Sequence, residues 1–556
     1  MALIRNQLLE LLKNAIAPLL AEDQKAVVLS SLDLEIPKMA QHGDYASNIA
    51  LALARVLKRK PREIAEQIVA NLEGPQAILD HTEIAGPGFI NFFLKADAWK
   101  QILLEILAQP DSYGRQDLGQ GKRVQVEFVS ANPTGPLHIG HGRGAATGDV
   151  LAGILAACGY AVQREYYIND AGNQMDTLGR SLYYRYQQLL GSDIAFPEGH
   201  YQGGYMRDLA AAFLEFHGDQ YRQAPLEEVL DRFTRFAGER ILSGIREDLQ
   251  VFGIAFDVWF SENSLHQRNL ILRTIEDLQA NGHVYEQDSA KWFRSTAFGD
   301  EKDRVVIRAN GVSTYFASDL AYHKEKFDRG FDLVIDIWGA DHHGYVPRML
   351  AGAEALGRAR SDLRIILVQL VNLLRGGTPV AMSTRSGEFV TLREVIDEVG
   401  RDAARFIFLT RRSDSPLDFD LETAKLQSND NPVFYVQYAH ARLCSVFEVA
   451  RERGMALNGR TEAVLDRLTA PQELALMKLL GEYPEVLANS ARFLEPHRIP
   501  YYLYELVSTF HSYYNQNRII GEDLELTRAR LVLAAAIRVV LRNALELLGV
   551  TAPEKM

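Results

Sequence analysis

Residues 130–141, which read SANPTGPLHIGH, constrain the fold of this chain more than any other segment. They follow a β-rich run at residues 124–129 and precede a stretch rich in alanine and glycine that fits a helix packed closely on a sheet. A strand, a proline- and glycine-rich turn and a helix in this order predict a crossover of a parallel sheet. The helix would open beside His138, Gly140 and His141. Its unpaired N–H groups and two imidazoles would suit a nucleoside triphosphate and the charge that develops when its α-phosphate is attacked.

The length and composition of the chain fit a globular protein of several domains. It has 556 residues, 47% of them hydrophobic and 24% charged, and a chain of this length is expected to form roughly three domains. The apolar stretch at residues 531–550 is interrupted by Arg538, Arg542 and Glu546, which indicates a packed helix and not a membrane span. The first residues lack the pattern of a secretory signal. We therefore expect a cytoplasmic protein with no membrane partner.

Charge and cysteine usage narrow the classes of ligand. The formal net charge of −12 at pH 7 argues against a protein that coats nucleic acid without specificity, so DNA is not an expected partner. Residues 441–556 carry as many basic as acidic residues, which permits RNA binding. The two cysteines, Cys158 and Cys444, are far apart in the sequence and cannot form a zinc knuckle. We expect no metal-ligating residues and no structural zinc.

Four segments are predicted along the chain. Residues 1–115 mix helical stretches with a strand-like run and predict a small α+β unit. Residues 116–390 alternate strands with helices, which predicts a doubly wound parallel sheet. Within them, residues 176–300 predict a largely helical insertion that interrupts the sheet, and Asn310-Gly311 between two β-rich runs predicts a hairpin. Residues 391–430 predict a connecting helical segment, and residues 431–556 an antiparallel helical bundle.

The turn at residues 136–141 resembles the HIGH signature of class I aminoacyl-tRNA synthetases. Residues 127–143 are similar to the arginine-specific family of that class, in its bacterial form. The resemblance extends over essentially the whole chain and implies an α/β fold. Its parts would be a Rossmann-like catalytic core, an α+β N-terminal domain that contacts the tRNA elbow, and an all-α anticodon-binding bundle. It also implies that His138, Gly140 and His141 bind ATP and take part in catalysis.

Two further segments resemble ATP-binding elements of this class. Residues 333–338 run into Gly339 and Asp341, and an acidic side chain just past a buried strand suits a pair of ribose hydroxyls. The glycine leaves room for the nucleotide. Residues 380–387 occupy the place of the mobile KMSKS loop of the class, in which Met382 and Ser383 match. The resemblance therefore implies ATP contacts from all four of these residues.

The KMSKS-like loop departs from the family pattern at its lysines. Ala381 and Thr384 stand at the two lysine positions. Some members of the family carry a substitute lysine just before HIGH, but residues 134–136 contain none. Arg385 is the nearest cation, and its guanidinium fork suits the β- and γ-phosphates. We therefore predict that Arg385 is a catalytic residue.

The resemblance also implies an arginine-binding site. Glu127 and Asp319 would accept hydrogen bonds from the guanidinium, with Tyr315 beside them. Asn132 would hold the α-amino group, and His342 would also approach the amino acid. Carboxylates in bidentate geometry are the partners that a guanidinium prefers, which agrees with two acidic residues in this set.

Residues at both ends of the chain are predicted to contact tRNA. By the same resemblance, Phe89 and Asn91 would meet the tRNA elbow. Tyr438 lies in the first helix of the predicted bundle, and Tyr514 and Asn515 belong to an aromatic-rich stretch further along it. Aromatic side chains there would stack on unpaired anticodon bases, which is how single-stranded RNA loops are commonly bound.

These resemblances imply a ligase that acts on L-arginine, ATP with Mg²⁺ and the arginine tRNA, and we expect it to work as a monomer. Arginine would be activated to arginyl-adenylate and then transferred to the 3′-terminal adenosine of the tRNA. Two alternatives stay open. Another class I synthetase would differ in its amino-acid pocket. An idle synthetase paralogue that only binds RNA would fit the missing lysines but not the intact histidine pair.

Overall fold

The computed structural model describes residues 4–30, 32–37, 39–72, 78–380, 389–455 and 462–556, and its N-terminal part is an α+β unit. Apolar residues recur every three or four positions in the first helix, so Leu8 and Leu12 are fully buried. The sheet is antiparallel, with strand order β1-β3-β2. The elements are α1 (Ile4–Ile16), α2 (Glu22–Ser30), β1 (Tyr45–Ser47), α3 (Ile49–Leu57), α4 (Pro61–Asn71), β2 (Leu79–Ala85), β3 (Phe89–Leu94) and α5 (Ala96–Ala108).

The central part alternates strands and helices. Its first half comprises β4 (Arg123–Glu127), α6 (Ile139–Ala157), β5 (Ala161–Ile168), α7 (Asn173–Leu189), α8 (Gly204–His217), α9 (Leu226–Val251), β6 (Val258–Ser261), α10 (Asn263–Gln267) and α11 (Leu270–Ala280). Its second half comprises β7 (Val284–Gln287), β8 (Ala290–Phe293), β9 (Arg304–Ile307), α12 (Tyr315–Asp328), β10 (Leu333–Gly339), α13 (Val346–Ala355), β11 (Leu363–Val368), β12 (Val371–Arg375) and β13 (Thr378–Pro379).

All five strands of the central sheet are parallel, in the order β11-β10-β4-β5-β6. The chain moves outward from β4 to β5 and β6, and it then adds β10 and β11 on the other side of β4. The direction of winding therefore reverses between β4 and β10. In open α/β sheets, ligands bind at the carboxyl ends of the strands beside such a reversal. The predicted doubly wound sheet is confirmed.

The central part differs from the sequence prediction in two places. Residues 176–300 are largely helical, but they also supply β6 to the parallel sheet and β7 and β8 to a small antiparallel sheet with β9. At four residues each, these strands are too short to show an alternation pattern. The Asn310-Gly311 turn is present, with the Gly311 N–H donating to the Arg308 carbonyl (2.8 Å). The β-rich run after it, however, begins helix α12, because Thr314 Oγ1 caps that helix by accepting the Ala317 N–H (3.4 Å).

Helix α6 lies unusually close to the sheet because of its glycines. A Cβ atom at Gly148 would lie 2.2 Å from Cγ of Phe128, at the end of β4. A Cβ atom at Gly142 would lie 2.6 Å from Cδ1 of Leu392. Any side chain at either position would push the helix outward. The glycines of α6 thus let the helix, and with it the turn at residues 136–141 (the histidine turn), lie close to the carboxyl ends of the strands.

The C-terminal part is helical, as predicted. A connecting segment contains α14 (Leu392–Val399), α15 (Arg401–Phe408), β14 (Leu417–Asp420) and α16 (Leu421–Lys425), and the bundle consists of α17 (Pro432–Glu452), α18 (Pro471–Phe493), α19 (Arg498–Gln516) and α20 (Leu524–Leu547). Arg405 is fully buried and ties the bundle to the core, donating to the carbonyls of Leu548 (2.8 Å) and Phe252 (3.1 Å). No helix in the described ranges is long and apolar enough to cross a membrane.

Candidate active site

A strained turn follows β4 and carries the chain over the carboxyl edge of the sheet. Val129 and Ser130 both have positive φ, at 68° and 40°, which is rare for residues other than glycine and especially so for a β-branched one. The hydroxyl of Ser130 holds the turn: it donates to Glu127 Oε1 (2.9 Å) and accepts the Tyr167 N–H (3.1 Å). Strain of this kind persists only where the surrounding contacts enforce it, and it clusters at functional sites.

His138 and His141 cap helix α6 reciprocally. His138 is the N-cap residue, and its Nδ1 accepts the Gly140 N–H (3.1 Å). The backbone N–H of His138 in turn donates to Nδ1 of His141 (3.2 Å). A Cβ atom at Gly140 would lie 3.0 Å from Cε1 of His138, so glycine leaves the room in which that imidazole folds back. The local sequence thereby fixes both rings at the start of the helix.

Burial keeps the two imidazoles neutral, and the capping contacts fix which ring nitrogen carries the proton. Burial lowers the pKa of His138, and burial together with His138 lowers the pKa of His141 to about 3. Both rings are therefore neutral at pH 7, and they stack with centroids 3.7 Å apart. Because each Nδ1 accepts a backbone N–H, each neutral ring must carry its proton on Nε2. The site thus offers two Nε2–H donors beside the positive end of a helix.

The end of β10 lies at the same edge as the histidine turn. Strand β10 pairs with β4 in parallel, with Asp336 opposite Glu127. The chain then reaches Gly339 and a short 3-10 helix that carries Asp341 and His342. Their side chains are 77% and 60% exposed, so both face the open edge of the sheet. A Cβ atom on Gly339 would lie 2.4 Å from Asp341 Oδ1, and this glycine therefore frees the carboxylate.

Glu127 belongs to a buried charge network that sequence reasoning missed. Lys326 of α12 is fully buried, and its Nζ lies 2.5 Å from Glu127 Oε2 and 2.7 Å from Asp336 Oδ1. Nε2 of His323 lies 2.8 Å from the other oxygen of Asp336. The His-x-x-Lys spacing, which puts both side chains on one helix face, is the sequence signal that could have indicated this network.

Burial and the nearby positive charges have opposite effects on the pKa values of the acids in this network. Burial tends to raise the pKa of Asp336, but Lys326 and His323 outweigh it and hold that pKa below its usual range. The pKa of Glu127 is raised by burial, since Lys326 shares its charge with Asp336 and only partly offsets it. Lys326 itself stays charged between the two carboxyl groups. Glu127 is therefore already paired before any ligand arrives.

Asp319 and Tyr315 lie one helical turn apart on α12, close to this network. Burial raises the pKa of Asp319, and the hydroxyl of Tyr345 donates a hydrogen bond to its carboxylate. Within the described ranges, no lysine or arginine forms a salt bridge with Asp319. Tyr315 is exposed, and its hydroxyl lies near Gly172. Asp319 is thus an acid without a direct salt bridge to lysine or arginine in the described ranges, and the nearby Lys326 and His323 only partly offset the effect of burial on its pKa.

Of the other residues predicted at this edge, Asn132 is described by the structure, and those of the KMSKS-like segment are not. Asn132 lies just before the histidine turn and donates through Nδ2 to Gln174 Oε1 (2.7 Å). Met382, Ser383 and Arg385 lie outside the described residues. Beyond that segment, Phe389 packs edge-on against His138 with centroids 6.2 Å apart. The first described residue after that segment thus contacts the histidine turn.

The residues predicted to contact tRNA lie in two separate units. In the bundle, the guanidinium of Arg442 lies 4.7 Å from the ring centroids of both Tyr438 and Tyr514, and Asn515 beside them is exposed. In the N-terminal unit, Phe89 is partly exposed at the start of β3. Asn91, two residues later, is only 4% exposed, so its side chain faces the interior. Of this N-terminal pair, Phe89 alone presents its side chain to the surface.

No group of three or more histidine, cysteine or acidic side chains among the described residues is arranged to hold a metal ion. The carboxyl edge of the sheet presents two neutral imidazole donors, a helix N-terminus, an exposed carboxylate after β10 and buried carboxyl groups around α12. This set can bind a polyphosphate on one side and an organic cation on the other. It offers hydrogen-bond donors and charge, and no redox group.

Three family models together match most of the chain. They are an arginyl-tRNA synthetase N-terminal domain at residues 6–94, a class I (R) tRNA synthetase catalytic domain at residues 102–420, and a DALR anticodon-binding domain at residues 436–556. The catalytic-domain model covers the parallel sheet and the residues described above at its carboxyl edge. The catalytic-domain model extends beyond the parallel sheet and includes α14, α15 and β14 of the connecting segment.

Individual relatives agree with these models. A protein of Syntrophotalea carbinolica named arginine–tRNA ligase is 60% identical over 528 residues, which is 95% of each chain. A protein of the same name from Desulforamulus reducens is 50% identical over 100% of this chain and 99% of its own. The solved structure of arginyl-tRNA synthetase from Thermus thermophilus superimposes with a TM-score of 0.77 over 100% of both chains. At 22% sequence identity, this similarity shows that the two chains share a fold.

Proposed function

This chain belongs to the class I arginyl-tRNA synthetases, and from that premise we propose how the residues at the carboxyl edge of its sheet serve the reaction. The activity is that of an arginine–tRNA ligase. Arginine is activated by ATP to arginyl-adenylate with release of pyrophosphate, and the arginyl group then passes to the 3′-terminal adenosine of the arginine tRNA, releasing AMP. ATP enters as its magnesium complex. We expect the chain to act as a monomer in the cytoplasm.

The histidine turn is proposed to bind ATP and to stabilise the activation step. When the arginine carboxylate attacks the α-phosphorus, negative charge grows on the phosphate oxygens. The Nε2–H groups of His138 and His141 and the N-terminus of α6 would donate to those oxygens, and neutral donors need no proton transfer. Gly140 keeps the first ring in place. No covalent enzyme intermediate is required, so positioning and charge stabilisation carry the chemistry.

The ribose of ATP is proposed to lie over the end of β10. Asp341 has an exposed carboxylate that would accept hydrogen bonds from two ribose hydroxyls, and Gly339 gives the backbone a close approach. This proposal is supported by the position of β10 next to β4, since the two strands are paired in parallel and their following segments leave the sheet side by side. Met382 and Ser383 of the KMSKS-like segment would complete the ATP site.

Arginine is proposed to lie between the histidine turn and α12. Asp319 would receive the guanidinium, with Tyr315 beside it, and Glu127 would contribute through the carboxyl group that Lys326 already holds. One observation carries this proposal: the carboxylate of Asp319 is removed from solvent and forms no salt bridge with lysine or arginine in the described ranges. Asn132 at the turn is suited to the α-amino group, and His342 is proposed to approach the amino acid from the end of β10.

Asp319→Asn tests the proposed site directly. We expect the KM for arginine in tRNA charging to rise about 100-fold or more, because the variant loses a charge-assisted contact in a low-dielectric pocket. The KM for ATP should stay near its original value. The measurement is steady-state aminoacylation with arginine, ATP, magnesium and the arginine tRNA. Asp328→Asn, an exposed acid at the end of the same helix, is the control. Equal KM values for the two variants would refute the proposed role of Asp319.

Arg385 is proposed to neutralise the leaving pyrophosphate in place of the absent lysines. Arg385→Ala should slow adenylate formation about 10- to 100-fold, since one cation on a developing phosphate charge is lost. Affinity for tRNA should change little. Rapid-quench measurement of the first turnover separates the two effects, and Arg222→Ala in an exposed loop serves as control. An unchanged first turnover would assign the phosphate contact to another cation.

The tRNA is proposed to meet the enzyme at the bundle and at the N-terminal unit. In the bundle, Tyr438, Tyr514 and Asn515 form a surface where Arg442 already holds two aromatic rings in place, as stacking on unpaired bases requires. In the N-terminal unit, Phe89 has the exposure that a direct contact needs. Asn91 is proposed to support the strand that presents Phe89, since its own side chain is buried.

A further inference from the structure

The loop that joins β4 to α6, at residues 128–138 (the β4–α6 loop), receives a hydrogen bond from the helical insertion. The phenol hydroxyl of Tyr205, in the first turn of α8, donates to the carbonyl of Thr134 in this loop (2.7 Å). Burial raises the pKa of Tyr205, so the hydroxyl keeps the proton that it donates. Among the described residues of α8, Tyr205 is the one that hydrogen-bonds to the loop.

Other elements hold the β4–α6 loop on either side of Thr134. From β5, the hydroxyl of Tyr166 donates to the Ala131 carbonyl (2.8 Å). From α14, the backbone N–H of Leu392 donates to the Leu137 carbonyl (2.8 Å). The phenol from α8 holds the middle of the loop, between these two contacts. The path of the loop over the edge of the sheet is thus fixed from three separate elements.

Helix α8 packs on the insertion through a different face from the one that carries the phenol. Met206 and Phe213 are fully buried, and the ring of Phe213 stacks on that of Phe233 in α9 with centroids 4.1 Å apart. Tyr205 is only half-buried, and it lines a cavity of about 310 Å³ together with Pro136 and residues of α8 and α9. Apolar packing therefore positions the helix, and the hydroxyl of Tyr205 acts on the loop.

Thr134 lies between two residues of the proposed site. Its N–H donates to the Asn132 carbonyl (2.7 Å), which makes this part of the loop a tight turn. His138 follows four residues later. In the proposed function, Asn132 holds the α-amino group of arginine and His138 donates to the α-phosphate of ATP. A shift at Thr134 would therefore change how the two substrates face each other, and a displacement of about 1 Å can slow a reaction about 100-fold.

We propose that Tyr205 is a positioning residue for adenylate formation. Its hydroxyl holds the β4–α6 loop in the geometry that aligns the arginine carboxylate with the α-phosphorus of ATP. The inference rests on the proposed function, in which groups of this loop bind both substrates. Tyr205 contacts neither substrate and transfers no proton; it acts through the carbonyl of Thr134. The helical insertion thereby contributes to the chemistry at the edge of the sheet.

Tyr205→Phe in the full-length chain removes the hydroxyl and keeps the ring. We expect the first-turnover rate of adenylate formation to fall about tenfold or more, because the substrates lose their alignment. The KM values for arginine and for ATP should change less than about threefold, since the groups that contact the substrates remain. Rapid-quench measurements with arginine, ATP, magnesium and the arginine tRNA give the rate, and titration of arginine and of ATP gives the KM values.

Tyr183→Phe is the matched control. The hydroxyl of Tyr183, a half-buried residue of α7, donates to the Ala224 carbonyl just before α9 (3.0 Å). This variant loses the same kind of hydrogen bond within the insertion and none to the β4–α6 loop. Both variants should melt within about 3 °C of the original chain. Only Tyr205→Phe should slow adenylate formation; equal first-turnover rates for the two variants would show that the proposal is wrong.

Gly135→Ala disturbs the same hydrogen bond from the side of the loop. A Cβ atom at Gly135 would lie 3.3 Å from the hydroxyl oxygen of Tyr205, which must then move by a few tenths of an ångström. The substitution should slow adenylate formation in the original chain and have a smaller effect in Tyr205→Phe, because the crowded oxygen is absent there. Equal slowing in the two backgrounds would mean that the loop is not held through this hydroxyl, and would overturn the proposal.

His138→Asn separates a failure of this inference from a failure of the proposed function. If His138→Asn is slow in the first turnover while Tyr205→Phe matches Tyr183→Phe, only the role of Tyr205 is wrong. If His138→Asn also keeps the first-turnover rate of the original chain, the histidine turn does not serve adenylate formation, and the proposed function of the loop fails together with the role of Tyr205.

Discussion

Replacing His138 by asparagine will lower the rate of adenylate formation about 10²- to 10³-fold while leaving the fold intact, since one preorganised donor to a developing charge is worth that much. Asparagine is a favoured N-cap residue, and its side-chain oxygen can accept the Gly140 N–H as His138 Nδ1 does. It has no group at the position of Nε2. The substitution therefore removes the phosphate donor and keeps the helix cap. The measurement is the first-turnover rate with saturating arginine, ATP and tRNA.

The same variant distinguishes a neutral donor from a charged one. Because burial lowers the pKa of His138 below its ordinary value, the ring is mainly neutral in the folded protein from pH 7 to 8. The first-turnover rate of the original protein divided by that of His138→Asn should therefore be constant over this range. If the ring acted as a cation, this ratio would fall as the pH rises. His266→Asn, an exposed histidine of the central part, is the control for folding and activity. A His138→Asn protein with ordinary turnover would exclude the imidazole from phosphate binding.

Replacing Lys326 by methionine will destabilise the central part by about 3–5 kcal/mol, because breaking a buried ion pair from one side leaves uncompensated charge in the core. Methionine retains most of the length of the lysine and removes its charge. Glu127 and Asp336 would then face each other without the Nζ atom that now lies 2.5 and 2.7 Å from them. The free energy of unfolding, measured by urea denaturation, should fall accordingly.

Two companion variants make this result interpretable. Lys324 lies two residues away on the same helix and pairs with Asp328 near the surface, so Lys324→Met should cost about 1 kcal/mol or less. The combination Lys326→Met with Glu127→Gln should recover part of the loss, since it removes one of the stranded carboxyl groups. An equal loss of stability for the two lysines would mean that the buried acids are neutral in the folded protein.

The architecture could be predicted from the sequence because its signals are local. The β-rich run before the histidine turn, the turn residues and the small residues of α6 lie within 30 positions of one another, and each reflects a short-range requirement. Strand β10 is long enough that the run at residues 333–338 predicts it to within one residue at each end. By contrast, the four-residue strand β6 was missed, since its edge position is decided by pairing with β5.

The candidate site likewise has features that the sequence predicts and features that depend on the tertiary structure. The sequence by itself determined the histidine turn, Gly339 with Asp341, and the departure from the family pattern at Ala381 and Thr384, because these are chemical identities at fixed spacing. Only the tertiary structure decided which carboxyl groups have partners. Glu127 and Lys326 are 199 positions apart and in contact, whereas Asp319 has no salt bridge with lysine or arginine in the described ranges. Charge pairing depends on distances of a few ångströms across the fold, and no local pattern in the chain encodes them.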